Sequence, residues 1–397
     1  MLSMNQVSKI ASIYTADVSG VCSALYELGG LIVMHDASGC NSTYNTHDEP
    51  RWYHQDSMVY ISGLCEIDAV LGADRKLIED IVHTAEQLHP RFIAIAGTPI
   101  PMITGTDFEG IASVIEARTG IPTLGIPTNG MHSYIYGISQ AFLAFANRFC
   151  EKEAASPASD SLQPKINLLG VTPLDFSVTG SAEALRAVFE NAGISVLSSW
   201  AMNSSFETLC RAGDADVNVV VSAAGLEVAD YFQRTFHTPY VVGLPIGPSM
   251  TARVLDAVRS AAHSGISQNL CSRTAGRTNP ASPSACILGE PVFAASLRTA
   301  LMEDAGFEAV TAINTLDFDC KDSSLADQSA MEEEDIEQRI QNAPVLLADP
   351  LFRPLIGKGK DTAFIALPHE AYSGRIYRKQ IPVLIGNAFH AWIQTIK

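Results

Sequence analysis

From Gly30 onward the chain repeats one pattern: a short β-branched run, a turn, then an amphipathic helical segment. Parallel strands need a long crossover, usually a helix, so this alternation predicts parallel sheets covered by helices on both faces. The first block, 1–150, carries strands GLIVMH, SMVYIS, FIAIAG and IPTLGIP. Its helices are RKLIEDIVHTAEQLH, FEGIASVIEARTG and YGISQAFLAFANRFC. Residues 151–164, polar and bearing Pro and Ser, form a linker. The second block, 165–265, begins with KINLLGV and ends with the helix SMTARVLDAVRSAAHSG. A second polar connection, 266–284, leads to the third block, 285–397, from ACILGE to a last helix near GNAFHAWIQTI. The expected fold is α/β, three Rossmann-like domains with parallel sheets around a central cleft, where strand carboxyl ends meet.

Composition narrows the function. The 397 residues suffice for two or three domains. With 43 acidic against 26 basic residues and a formal charge of −17, nucleic acid and anionic membranes are poor partners. No apolar run of about 20 residues would span a bilayer. The N-terminus MLSMNQVSKI lacks an apolar signal core, so a cytoplasmic protein is expected. In that compartment the eight cysteines are thiols or ligands, not a disulfide framework. The chain has no G-x-x-x-x-G-K-[ST] and no G-x-G-x-x-G after a strand, so no ATP or dinucleotide loop of its own is expected. The run EEED at 332–335 is expected to be a solvated helix N-terminus.

Candidate chemistry concentrates between Ala16 and Gly105. Cys22 lies in GVCSALYEL, Cys40 closes DASGC after the first strand, and Cys65 follows SMVYIS ahead of a helix start. Each is expected in or beside a loop, where a helix N-terminus favours the thiolate. Three such thiolates suit an iron–sulfur cluster. Free cysteines are also commonly small buried hydrophobes, and no C-x-x-C pair decides between the two.

The order of motifs adds to this. GVCSAL is followed by HDASGC, DAVLGADRKL, AGTPIPMITGTD, the glycine loop IPTNGMHSYIYG and the C-terminal PHEAYSGRIYRKQIPVLIGNAFHAWIQTI. This succession resembles nitrogenase component 1 and its relatives. Those include dark-operative protochlorophyllide reductase subunits, nitrogenase cofactor scaffold proteins and a nickel-tetrapyrrole cyclase. The resemblance implies a cluster-binding role for Cys22 and Cys40. The family's third cluster cysteine falls on Thr98, which cannot be a thiolate ligand, and Cys65 in the neighbouring loop is expected to substitute. Three thiolates per chain then imply a 4Fe-4S cluster, or a larger P-cluster-like double cluster, shared with a second component-1-like chain in a homodimer or heterodimer.

Two further departures bear on the chemistry. Ser222 in VNVVVSAAG stands where catalytic nitrogenase anchors its iron–molybdenum cofactor through cysteine. The anchoring histidine has no match in register, although His369 in LPHEAYSG lies one residue away. Nitrogen reduction on that cofactor is therefore not expected. The cleft should admit an organic substrate, a tetrapyrrole or another metallocofactor. His132 and His369 are the expected proton donors there, with His47 from the polar loop that also carries Arg51 and His54. His35 is expected to pack and hydrogen-bond, and Cys286 to lie in the core. The resemblance implies an oxidoreductase fed low-potential electrons by an ATP-dependent Fe-protein-like reductase. The rival readings are a scaffold for cofactor assembly and a non-enzymatic α/β binding protein.

Overall fold

The computed structural model describes residues 8–13, 15–39, 44–72, 74–151, 163–272, 283–317, 325–357 and 361–396. Cys40, Cys320 and most of both polar connections lie outside the described residues. The rest forms three parallel sheets. The first contains β1 (Leu31–His35), β2 (Met58–Ile61), β3 (Ile93–Gly97) and β4 (Thr123–Ile126), in the order β2-β1-β3-β4. The second contains β5 (Lys165–Val171), β6 (Ser195–Ala201), β7 (Val217–Val220), β8 (Tyr240–Val242) and β9 (Gln268–Asn269), in the order β6-β5-β7-β8-β9. The third contains β10 (Ala285–Gly289), β11 (Val310–Asn314), β12 (Gln328–Ser329), β13 (Val345–Ala348) and β14 (Ala363–Ala366), in the order β12-β11-β10-β13-β14. The short edge strand β9 falls inside the stretch read from sequence as a polar connection.

Each sheet therefore has one topological switch point, between β1 and β3, β5 and β7, and β10 and β13. Chains leaving adjacent strands there diverge to opposite faces and leave a crevice at the carboxyl edge. The central strands β1, β3, β10 and β11 are buried along their whole length, as covering both faces of a parallel sheet requires.

The first unit's helices are α1 (Asp17–Leu25), α2 (Glu66–Leu71), α3 (Asp74–Leu88), α4 (Pro99–Thr104), α5 (Phe108–Thr119) and α6 (Tyr134–Phe149). Helix α1 lies against α6 at very short range. A Cβ added at Gly137 would sit 1.8 Å from the carbonyl oxygen of Asp17, and one at Gly20 would sit 2.2 Å from that of Tyr134. Only glycine permits backbone to meet backbone here. Gly137→Ala should separate the helices and lower stability by about 1–3 kcal/mol, read as a shifted urea midpoint. An unchanged midpoint would show that the crossing is not constrained.

The second unit adds α7 (Ser181–Asn191), α8 (Phe206–Cys210), α9 (Leu226–Phe236) and α10 (Gly247–Ser264). The third adds α11 (Pro291–Glu303), α12 (Glu333–Ile340) and α13 (Ala388–Ile396). The first two units share one aromatic core. Phe145 and Phe149 of α6 meet Phe206 of α8 with ring centroids 5.4 and 5.1 Å apart, and Trp200 of β6 stands edge-on to Phe142 at 5.2 Å. Such edge-to-face pairs add to the burial of large apolar rings.

Candidate functional site

At the first switch point, β1 runs into Asp36 and β3 into Thr98. Thr98 is fully buried, its hydroxyl 2.9 Å from the His35 carbonyl oxygen and 3.0 Å from the Asp36 carboxylate. His35 Nδ1 lies 2.8 Å from the Ser62 hydroxyl, and burial holds the ring below its usual pKa, so it is a packed, neutral residue. The Leu64 amide donates to the Asp36 carbonyl at 2.8 Å, which brings Cys65 to the same edge. Cys65 is exposed at the N-cap of α2. None of α2 is buried: Ile67, Val70 and Leu71 are 68, 83 and 78% exposed, and Ile103 of the neighbouring α4 is 79% exposed. Large apolar side chains grouped in this way on a surface mark a contact site.

Cys22 does not sit in a loop. It lies inside α1, fully buried. The helix starts five residues earlier, at Asp17, whose carboxylate accepts the Asn129 and Gly130 amides at 3.0 and 2.8 Å. The stripe Val18, Val21, Cys22, Leu25 then faces the core at helical spacing. Burial, reinforced by Glu49, pushes the Cys22 thiol well above its ordinary pKa and keeps it protonated. Tyr44, four positions after Cys40, is itself buried and hydrogen-bonds Ser23 beside Cys22.

Donor chemistry thus separates the candidate ligands. Cys65 fits a cluster held at an interface, since its thiol reaches the surface. Cys22 fits only where the segment of Tyr44 and Glu49 makes way for it. Among the described residues no three His, Cys, Asp or Glu side chains stand together as a metal site.

The second and third switch points share a narrow cleft of about 50 Å³. Val221, Leu244, Leu288, Phe293 and Leu384 give it apolar walls. Three acids line it, each just past a strand. Glu290 accepts the Phe293 amide at 2.7 Å and the Ala223 amide at 2.8 Å, tying α11 to a turn of the second unit. Asp349 accepts the amides of Leu351 and His369, both at 2.8 Å, and the Ser373 hydroxyl at 2.7 Å. Asp175 accepts the Tyr134 hydroxyl. Burial, followed by the charge of Asp175, raises Glu290 to about 8. The shift favours its protonated form. Burial also raises Asp349. The sequence reading does not single out these three acids, although LGE and LAD place Glu290 and Asp349 directly after a strand and VTPLD places Asp175 four residues past one.

His369 lines this cleft. Its Nδ1 accepts the Ala371 amide at 3.3 Å, so Nε2 bears the proton and faces Asp175 Oδ1 at 3.4 Å. Ser222 is sealed behind the wall. Its hydroxyl caps the turn at Ala224, and it packs on Gly170.

His132 does not share the cleft with His369. A hydrogen bond from the Asp17 amide to the His132 carbonyl, at 3.0 Å, ties it to the N-terminal segment. There it pairs with Asp317 at 3.1 Å, about half exposed, in a separate groove with Ser133 and Thr315. Tyr372 lines both spaces. His47 lies apart from both. Its Nε2 is 3.5 Å from Asp48, which Arg375 approaches at 3.3 Å, where the 44–54 loop meets the C-terminal segment. Arg51 is buried in that loop and His54 is exposed.

Three doubly wound parallel sheets, with one crevice carrying cysteine and two merging in an acid-lined cleft, define a class of large α/β proteins with sites at strand carboxyl ends. The sequence profile of nitrogenase component 1 type oxidoreductases matches residues 20–345, and the chain belongs to that family. It is similar to the nitrogenase iron-molybdenum cofactor biosynthesis protein NifE of Methanosarcina barkeri, 27% identical over 184 residues, 44% of this chain and 39% of that protein. It is also similar to a light-independent protochlorophyllide reductase subunit of Rhodopseudomonas palustris, 25% identical over 201 residues, 48% of this chain and 38% of that one. The matched region spans less than half the length of either relative. A solved structure described as nitrogenase Cp1 at pH 6.5 shares the fold, with a TM-score of 0.71 at 16% identity, covering 100% of this chain and 94% of that one. No helix among the described residues is long and apolar enough to cross a membrane.

Proposed function

We propose that this chain is the electron-accepting subunit of a two-component reductase, whose substrate is protonated in the cleft between the second and third sheets. The observation that carries this reading is the cleft itself. An apolar enclosure holds one carboxylic acid, Glu290, and one oriented imidazole, His369, at two merged switch points. Such a site binds an apolar ligand and supplies protons to it as it gains electrons. His132 and His47 are proposed as proton carriers outside the cleft, His132 from the adjoining groove. The ligands proposed for a 4Fe-4S or larger cluster are Cys22, Cys40 and Cys65. When bound, the cluster would supply low-potential one-electron transfer. A cubane needs four ligands, and the exposed apolar faces of α2 and α4 surround Cys65. A second component-1-like chain is therefore proposed to cover that edge, with an ATP-dependent Fe-protein-like reductase as donor.

Strictly anaerobic purification tests this reading. Wild-type protein should carry iron and sediment as a dimer, and Cys65→Ala should lose most of the iron. Full iron retention in that variant, or an iron-loaded monomer, would sink the shared site. Turnover with reductase and ATP tests the enzymatic role. The similarity to NifE favours a second reading, a scaffold that holds a cofactor precursor. A scaffold would bind iron and pass its cargo to an acceptor protein without turnover.

A further inference from the structure

We infer that Cys150 and Cys210 form a reversible disulfide that staples the first α/β unit to the second. Cys150 ends α6, and Cys210 ends α8. The Glu151 amide donates to the Cys210 carbonyl at 3.0 Å. Adding the covalent span on each side, about 2.4 Å, puts the two Cα atoms at most about 8 Å apart. That path bends at the amide and again at the carbonyl, which shortens it toward the roughly 4.4–6.8 Å span of disulfides. The Cys150 sulfur lies 3.1 Å from the carbonyl oxygen of Leu209, the residue bonded to Cys210.

The aromatic core sets the approach of the two elements. Phe206 packs on Phe149 with centroids 5.1 Å apart. Phe149 directly precedes Cys150, and Cys210 lies four positions after Phe206, on the same face of α8. The face of α8 that meets the end of α6 is therefore the one bearing Cys210.

The two thiols differ in access. Cys150 is buried and Cys210 half-buried, so an oxidant reaches Cys210 first. The Cys210 thiolate attacks one sulfur of a small-molecule disulfide such as oxidised glutathione, giving a mixed disulfide and one released thiol. Cys150 loses its proton, attacks the Cys210 sulfur, and releases the second thiol. Two protein thiols and one disulfide thus become one protein disulfide and two small thiols, and the two electrons pass to the oxidant. Burial raises both thiols, so the bridge forms faster as pH rises. High-pKa thiols are also poor leaving groups, so the closed bridge resists reduction.

The test uses the whole chain. Trypsin cuts after Arg148, Lys152, Arg186 and Arg211, which releases each cysteine on its own peptide. Oxidised glutathione should yield the linked pair FCEK and AVFENAGISVLSSWAMNSSFETLCR in non-reducing mass spectra. The thermal midpoint should rise, and a dithiol reductant should reverse both changes. Cys150→Ser should stop the reaction at glutathione on Cys210, and Cys210→Ser should leave Cys150 unmodified. A wild-type product with glutathione on Cys210 and Cys150 still free would overturn the inference. So would linkage of Cys210 to any other cysteine.

Discussion

Arg51→Ala should destabilise the protein by about 3–5 kcal/mol, the usual consequence of removing one partner of a buried ion pair. Arg51 is almost completely buried. Its guanidinium lies 2.9 Å from Glu27, 2.7 Å from Glu49 and 2.8 Å from the Ser23 carbonyl oxygen, with the Tyr26 ring centroid 4.8 Å away. It also reaches the Ala201 carbonyl of the second unit at 3.3 Å. Glu27 in turn accepts the Asn203 amide at 2.8 Å. One side chain therefore satisfies two sequestered carboxylates and holds the 44–54 loop against α1 and β6. Truncation leaves both acids without their cation, and they can be relieved only by protonation. The deficit should be largest at neutral pH and shrink toward pH 5 in urea unfolding. A loss below about 1 kcal/mol at pH 7 would show that water reaches these acids once the arginine is gone.

The second large effect concerns Glu290. Its folded-state pKa of about 8 lies above the usual carboxyl value of 4.5. The folded protein therefore holds a proton that the unfolded chain releases. The stability from this group is fully present below about pH 4.5 and is lost as pH rises through 8. At about 1.4 kcal/mol per pH unit, that loss reaches up to about 5 kcal/mol. Glu290→Gln keeps the shape and cannot ionise. It should cost about 1–3 kcal/mol at pH 5, because an amide cannot accept both backbone N–H groups. The wild type should then lose more stability than the variant between pH 5 and pH 8. Parallel pH profiles for the two proteins would place Glu290 in its ionised form in the folded state, and its proposed proton-donor role would fail with that result.

Strand runs such as LIVMH and ACILG, which cannot alternate faces, make the parallel sheets legible in the chain alone. The family is legible in the order of loosely matched motifs. The glycine of GVCSAL and that of YIYGIS are visible in sequence, but their mutual contact is not. Cys22 illustrates the limit most clearly. Its place in an apolar run at helical spacing suits a core residue and a loop ligand alike, and only the tertiary packing around α1 buries it. The same holds for the two histidines. His132 and His369 both follow strand ends, yet a backbone hydrogen bond from Asp17 ties one to a side groove while the other faces the cleft.

Local sequence determined which segments became strands and helices, because the periodicity of apolar side chains dictates which faces must be covered. It also determined that Asp or Glu would follow several strands. Tertiary structure alone decided that Asp175, Glu290 and Asp349, more than 100 residues apart at their extremes, would meet in one desolvated space. The shift of a carboxyl group depends on the dielectric and charges around it, not on its neighbours in the chain. That is why Glu290 is an ordinary acid in the sequence and one pushed toward protonation in the fold.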